Sequence, residues 1–277
     1  MNIDELIDIA LKEDIGDGDH TALSCIPKEA IGKAELLVKQ GGILAGVDIA
    51  VKVFKAVDPN LQIELLLKDG TPVKFGDVAF YVTGSSQSIL MAERLALNFM
   101  QRMSGIATHT RELVNIVGEL PCKLLDTRKT TPGLRQVEKL AVKIGGGHNH
   151  RFGLYDMVMI KDNHIDYAGG IASAISKTKA YLNAKNKSLK IEVEARDLNE
   201  VEQILAAGPV DRIMLDNFNY ADLRDAVKLI NGAAETEASG GITKETLRAY
   251  AECGVDYISV GALTHQINSL DLSLKAV

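Results

Sequence analysis

Beyond residue 120 the chain repeats one unit: a short run with an apolar centre, a polar or glycine loop, then an amphipathic stretch of helix length. The runs fall at residues 123–126, 157–161, 191–195, 213–216, 235–238 and 257–260, with helices expected over 198–207, 221–230 and 243–253. Strands and helices alternating in this way require parallel strands joined by crossover helices, as an open sheet or a barrel. The strand ends choose between the two. They close in Asp126-Thr127-Arg128-Lys129, Lys161-Asp162-Asn163-His164, Glu194, Asp216-Asn217, Ser239-Gly240-Gly241 and Gly261. An open sheet concentrates its chemistry at a single switch point, whereas a (β/α) barrel brings every carboxyl end to one mouth. Six polar ends favour the barrel, and six strands where eight are standard make it incomplete, so something else must cover the missing wall.

The first hundred residues read differently. Ile3, Leu6, Ile7, Ala10 and Leu11 form the stripe of an amphipathic helix that Gly16 stops. Strands are expected over 33–46, 62–68 and 78–83, with a helix near 48–57, which makes this part α+β. The acidic run 14–19 lacks the spacing of a calcium loop and reads as a helix-ending turn. A further helix from Ile89 is expected to break at Ser104-Gly105 and to resume through Val117, which puts the domain junction there: 1–107 and then 108–265.

Composition narrows the function. A net charge of −6, from 37 acidic and 31 basic residues, gives no global surface for nucleic acid or anionic membrane, so any anion site is a local cluster. No apolar stretch reaches the length of a membrane span. The three cysteines, Cys25, Cys122 and Cys253, are odd in number and far apart, which argues for reduced thiols and a cytoplasmic protein.

The local clusters are cationic. Thr131-Pro132 reads as a helix N-cap with proline in the first turn, so Arg128 and Lys129 stand where backbone donors, dipole and charge together suit phosphate or carboxylate groups. Glycines after the last two strands, in Ser239-Gly240-Gly241 and Val260-Gly261, suit a terminal phosphate. His148 and His150 form an HxH pair, but it precedes its strand and Arg151 follows directly, which argues against metal ligation. Lys161 stands where either a Schiff-base lysine or a fixed anion-binding charge would stand.

The run Asp126-Thr127-Arg128-Lys129-Thr130, then Gly145-Gly146-Gly147-His148-Asn149-His150-Arg151, then Ile160-Lys161-Asp162-Asn163-His164, with Ser239-Gly240-Gly241 and Val260-Gly261-Ala262-Leu263-Thr264, resembles the quinolinate phosphoribosyltransferase family over nearly the whole chain. The resemblance implies an N-terminal α/β sandwich domain plus an incomplete barrel, and a twofold dimer in which one subunit's first domain covers its partner's barrel mouth. Association into hexamers stays open. It implies transfer of phosphoribosyl from 5-phosphoribosyl 1-diphosphate (PRPP) to quinolinate with magnesium, releasing pyrophosphate and carbon dioxide and giving nicotinate mononucleotide for NAD biosynthesis. By this likeness Arg128, His150, Arg151 and Lys161 hold the quinolinate carboxylates, with Arg94 reaching in from the partner. Lys129 meets the donor, Glu194 and Asp216 face its ribose and Mg2+, directly or through water, and Ser239, Gly240, Gly241 and Gly261 hold the 5-phosphate. Alternating Leu270, Leu272 and Leu274 fit a tail, 266–277, that returns as a strand to the first domain. Three rivals stand beside this reading: a Schiff-base aldolase, a relative from metal-transport operons with another substrate, and a non-catalytic phosphate-binding barrel.

Overall fold

The computed structural model describes residues 2–277, so Met1, the first residue of the expected N-terminal domain, lies outside the described residues. In chain order the elements are α1 (Ile3–Ile15), α2 (His20–Cys25), β1 (Ile31–Val38), β2 (Gly42–Ile43), α3 (Val47–Val57), β3 (Gln62–Leu65), β4 (Pro72–Val73), β5 (Val78–Ser85) and α4 (Ser86–Val117). There follow β6 (Lys123–Leu125), α5 (Arg135–Gly145), β7 (Val158–Ile160), α6 (Asp162–Ala168), α7 (Ile171–Ala184), β8 (Ile191–Ala195), α8 (Leu198–Ala206), β9 (Arg212–Asp216) and α9 (Tyr220–Ile230). The chain closes with β10 (Glu235–Ser239), α10 (Leu247–Ala251), β11 (Tyr257–Ser259), α11 (Ala262–His265) and β12 (Leu272–Ala276). They form two compact units, one built from the chain up to Arg111 with Lys129–Gly146 and Ala262–Val277, the other from Glu112–Arg128 and Gly147–Gly261.

In the first unit an antiparallel sheet runs β12-β1-β5-β3, with the tail strand β12 paired to β1 through Leu36↔Leu274. Period-two alternation buries Ala34, Leu36 and Val38 of β1, and α3 packs there through Phe54, whose ring meets Phe80 of β5 edge-on at 5.9 Å. Helix α1 opens with a capping box: Glu5 N–H donates to Asn2 Oδ1 and Asn2 N–H to Glu5 Oε2, both at 2.8 Å. It ends at Gly16 with φ +58°, and Asp19 then caps α2, so the acidic run is a turn between helices.

Four local expectations change, the first being that the helix expected over 243–253 shortens to α10. The strand expected over 33–46 is split into β1 and β2. Helix α4 does not break at Ser104-Gly105 but runs unbroken for 32 residues. The Ser104 hydroxyl takes the Ala45 N–H at 2.9 Å and donates to the Ala45 carbonyl, while a Cβ on Gly105 would stand 2.2 Å from the Asn268 carbonyl oxygen. Both small residues serve close approach of neighbouring chain rather than helix termination. Finally, α5 starts at Arg135, because Thr131-Pro132-Gly133-Leu134 closes a turn in which Leu134 N–H donates to the Thr131 carbonyl at 3.0 Å and Gly133 takes φ +82°.

The second unit is the incomplete barrel. Its six parallel strands run in the order β6-β11-β10-β9-β8-β7, so the first strand pairs with the last and the gap lies between β6 and β7. The stretch after α5 partly fills that gap: His148 bridges Leu125 in parallel, its N–H donating to the Leu124 carbonyl at 2.8 Å. Along β8 and β9, Ile191, Val193, Ile213 and Leu215 are buried on one face, the usual apolar wall beneath crossover helices such as α8 and α9. The other face is not apolar: Glu192 and Glu194, Arg212 and Asp216, Glu237 and Ser239 alternate along β8, β9 and β10.

Candidate active site

The barrel-unit residues singled out from sequence stand at or just beyond the carboxyl ends of the parallel strands. After β6, Asp126 is fully buried and organises the facing loop, its carboxylate accepting the His150 N–H at 2.9 Å and the Asn149 side-chain amide. That carboxylate ties the end of β6 to the start of the His150-Arg151 segment. Arg128 follows it in the chain and is exposed. Arg151 is half-buried, its Nη1 on the Met157 carbonyl at 3.2 Å. Burial and then the like charge of Arg128 weaken its hold on its proton, so the two guanidiniums share one neighbourhood.

Lys161 ends the next strand and reaches Glu194 of β8, Nζ to Oε2 2.9 Å, with the glutamate 8% exposed. His164 supports it from below by accepting the Lys161 N–H on Nδ1 at 3.0 Å. Asp216 closes β9, half-buried, and accepts the Asn217 side-chain amide at 2.6 Å. Asn217 has φ +57° and donates its N–H to the Ser239 carbonyl at 2.8 Å. A Cβ on Gly240 would strike Asn217, and the residue has φ +99°, so no other residue fits there without strain. Gly241, at φ +57°, borders open space, and Gly261 follows β11 half-buried.

Two predicted site residues belong to the first unit. Lys129 is exposed, with its carbonyl accepting the Thr264 hydroxyl at 2.8 Å, and Arg94 is exposed on α4.

His150 differs from its neighbours, for its side chain is only 5% exposed. Nε2 lies 3.0 Å from Glu192 and 3.4 Å from Glu237, both fully buried, and Nδ1 accepts the Arg151 N–H at 2.6 Å. Arg212 Nη1 donates to Glu237 at 2.8 Å, and the Ser259 hydroxyl donates to it as well. Of this buried layer only His150 is expected from the sequence to touch quinolinate; Glu192, Glu237, Arg212 and Ser259, like Asp126, His164 and Asn217 at the strand ends, have no expected role. The layer's signal is the alternation Ile191-Glu192-Val193-Glu194 and Glu235-Thr236-Glu237, since buried parallel strands ordinarily read as continuous apolar runs.

Cations from β6, the following loop and β7, acids from β8 and β9 and a glycine turn after β10 define a class: a barrel protein that takes strongly anionic ligands at its strand ends. The comparisons specify which. The family model of the quinolinate phosphoribosyl transferase C-terminal domain matches residues 106–275 and that of the N-terminal domain residues 19–104. The chain is 49% identical over 285 aligned positions, 98% of this chain and 81% of the other, to the chloroplastic nicotinate-nucleotide pyrophosphorylase [carboxylating] of Arabidopsis thaliana. It is 44% identical, over 99% of this chain and 93% of the other, to the probable nicotinate-nucleotide pyrophosphorylase [carboxylating] of Bacillus subtilis. The solved nicotinate-nucleotide pyrophosphorylase of Francisella tularensis superposes with a TM-score of 0.92 at 43% identity, covering 99% of this chain and 96% of that one. The chain belongs to the quinolinate phosphoribosyl transferase family.

Proposed function

We propose that this protein joins quinolinate to the phosphoribosyl group of PRPP and decarboxylates the adduct, yielding nicotinate mononucleotide, pyrophosphate and carbon dioxide for NAD biosynthesis. Family membership supports the reaction, and one observation carries it to this chain: Arg151 is half-buried with the Arg128 charge nearby, a cationic neighbourhood suited to a dicarboxylate.

In this reading Arg128, Arg151 and Lys161, with Arg94 from a second subunit, clamp quinolinate so that its ring nitrogen faces C1 of the donor ribose, while His150, expected from the sequence to join the clamp, stands behind Arg151. Lys129 takes the diphosphate side, Glu194 and Asp216 face the ribose, and Ser239, Gly240, Gly241 and Gly261 receive the 5-phosphate. The nitrogen lone pair forms the new bond as pyrophosphate departs, and the carboxylates stabilise positive charge growing on the ribose. The C2–carboxylate bond then breaks, its electron pair held beside the positive ring nitrogen until a proton from solvent returns to C2. Mg2+ fits the donor set, because Glu194 and Asp216 offer hard oxygens from adjacent strands and leave further positions for substrate oxygens and water. When bound it would neutralise the leaving pyrophosphate. Lys161 already sits on Glu194, which favours Asp216 as the nearer ligand.

The proposed assembly is a homodimer with shared sites, open to higher association, in which the partner's first domain covers the barrel mouth. Three free thiols support a cytoplasmic location, and no helix among the described residues is long and apolar enough to cross a membrane. Incubation with quinolinate, PRPP and magnesium should release one carbon dioxide and one nicotinate mononucleotide per pyrophosphate. Pyrophosphate release without that nucleotide would reject the substrate assignment.

A further inference from the structure

Both nitrogens of His150 face protein groups. Nδ1 holds the Arg151 main chain at 2.6 Å, and Nε2 faces Glu192 and Glu237 at 3.0 and 3.4 Å with all three side chains at most 5% exposed. The carboxylates are fixed in turn. Arg212 bridges Glu237 and Glu235, its guanidinium stacked 4.0 Å over the Tyr257 ring, and Ser259 completes the shell of Glu237. Asp126 holds the main chain of the same histidine at 2.9 Å. A ring so enclosed presents no nitrogen to a carboxylate arriving at the strand ends.

We propose that His150 is a positioning residue: Glu192 and Glu237 on the inner barrel wall fix its ring, and Nδ1 fixes the main chain of Arg151, which aims that guanidinium at the substrate carboxylate. The role rests on the quinolinate reading given above only for the part that Arg151 plays. The three donor atoms of His150, Glu192 and Glu237 lie within 4.8 Å of one another, a spacing that also suits a metal ion. Arg212 argues for the strut, because its guanidinium is 2.8 Å from the Glu237 oxygen that faces the histidine, which is where a metal would need that oxygen's charge.

The test separates the two ring nitrogens. Asparagine at position 150 puts an amide oxygen near the place of Nδ1 and keeps an acceptor for the Arg151 N–H, whereas glutamine reaches the place of Nε2 and supplies none. Both are made in a Glu192→Gln background, which relieves the facing negative charge. His150→Asn should keep the quinolinate KM within about threefold of that background and His150→Gln should raise it about tenfold or more, with the PRPP KM nearly unchanged in both. In the Arg151→Ala background the difference between the two should vanish, since His150 acts through Arg151. Equal losses for the two variants, or losses additive with Arg151→Ala, would show His150 touching substrate itself and overturn the proposal. Amide exchange at Arg151, measured without substrate, should be faster in His150→Gln than in His150→Asn. That readout stands even if quinolinate proves to be the wrong substrate, and equal exchange rates overturn the strut. So would one equivalent of tightly bound transition metal in the purified protein that is lost in Glu192→Gln.

Discussion

Arg102 and Glu138 form an ion pair at 2.8 Å whose carboxylate is fully buried, and both partners use their remaining atoms on the segment that carries Lys129. Glu138 accepts the Thr131 N–H at 3.1 Å, Arg102 donates to the Thr264 carbonyl at 2.8 Å, and Thr264 returns its hydroxyl to the Lys129 carbonyl at 2.8 Å. Glu138→Ala should therefore raise the PRPP KM more than the quinolinate KM, read in steady-state kinetics. It should also destabilise the fold by about 2–3 kcal/mol in denaturant melts, less than a fully enclosed pair would lose, because Arg102 keeps 27% exposure. An equal rise in both KM values would remove the clamp from the donor side.

We expect Lys161 to bind anions rather than to attack a carbonyl, because its Nζ is already engaged by the Glu194 carboxylate at 2.9 Å. Borohydride added with substrate should leave the protein unmodified and active, as read by intact mass and residual turnover, whereas a trapped adduct at Lys161 would restore the aldolase reading.

How much of this was legible in the sequence depended on whether a residue's signal was local. Period-two and helical patterns identified β8 and much of α8 and α9, because their apolar faces repeat within a few residues. Polar strand ends brought Arg128, Lys161, Glu194 and Asp216 into view for the same reason, and Arg151 came from its motif. Ser104-Gly105 misled, since small residues in a helix read alike whether they break it or admit a neighbour, and here the neighbour is Asn268, far along the chain. Glu138 of α5 and the contacts of His150 with Glu192 and Glu237 depend on partners distant in sequence, so of these residues only His150 was named, through its motif.

Gly105 gives that lesson a number to measure. With its Cβ position 2.2 Å from the Asn268 carbonyl oxygen, Gly105→Ala must displace that backbone. The alanine would otherwise gain about 1 kcal/mol from helix propensity, so a net loss of about 1–3 kcal/mol in chemical denaturation identifies steric cost as dominant. A stabilised variant would mean that the tail segment yields freely.

The buried layer should make stability fall on the alkaline side. Burial, the largest influence on His150, opposes its charge, but the facing Glu192 and Glu237 outweigh it and raise the group to about 9 from its ordinary 6.5. Burial also raises Glu192, so the added proton belongs to the His150–Glu192 pair: a ring protonated on both nitrogens could not accept the Arg151 N–H at Nδ1, so the imidazole keeps its hydrogen on Nε2 and Glu192 carries the added proton. Arg212 and Arg151 are the nearby cations, and Asp126 binds the histidine main chain. The folded state then holds more protons than the unfolded one between those two pH values. The contribution is complete below about 6.5 and is lost as pH rises through about 9, with a slope of at most roughly 1.4 kcal/mol per pH unit. Urea melts across that window should show the fall in wild type and a flatter profile in Glu192→Gln; identical profiles would separate the proton from this pair.

The proposed sharing of sites between subunits gives the last prediction. If Arg94 serves the neighbouring barrel while Lys129 serves its own, homodimers of Arg94→Ala and of Lys129→Ala should each be nearly inactive. In their hybrid, the Arg94→Ala subunit keeps an intact Lys129 and receives Arg94 from its partner, so one of the two sites is whole. Random exchange of equal amounts makes half the dimers hybrid, and twofold symmetry then sets recovered activity near about a quarter of wild type. Two tagged chains, co-refolded and purified through both tags, isolate the hybrid, whose activity should approach about half of wild type. A doubly tagged dimer with no more turnover than its parents would show that Arg94 works within its own subunit, or that the two barrels share nothing.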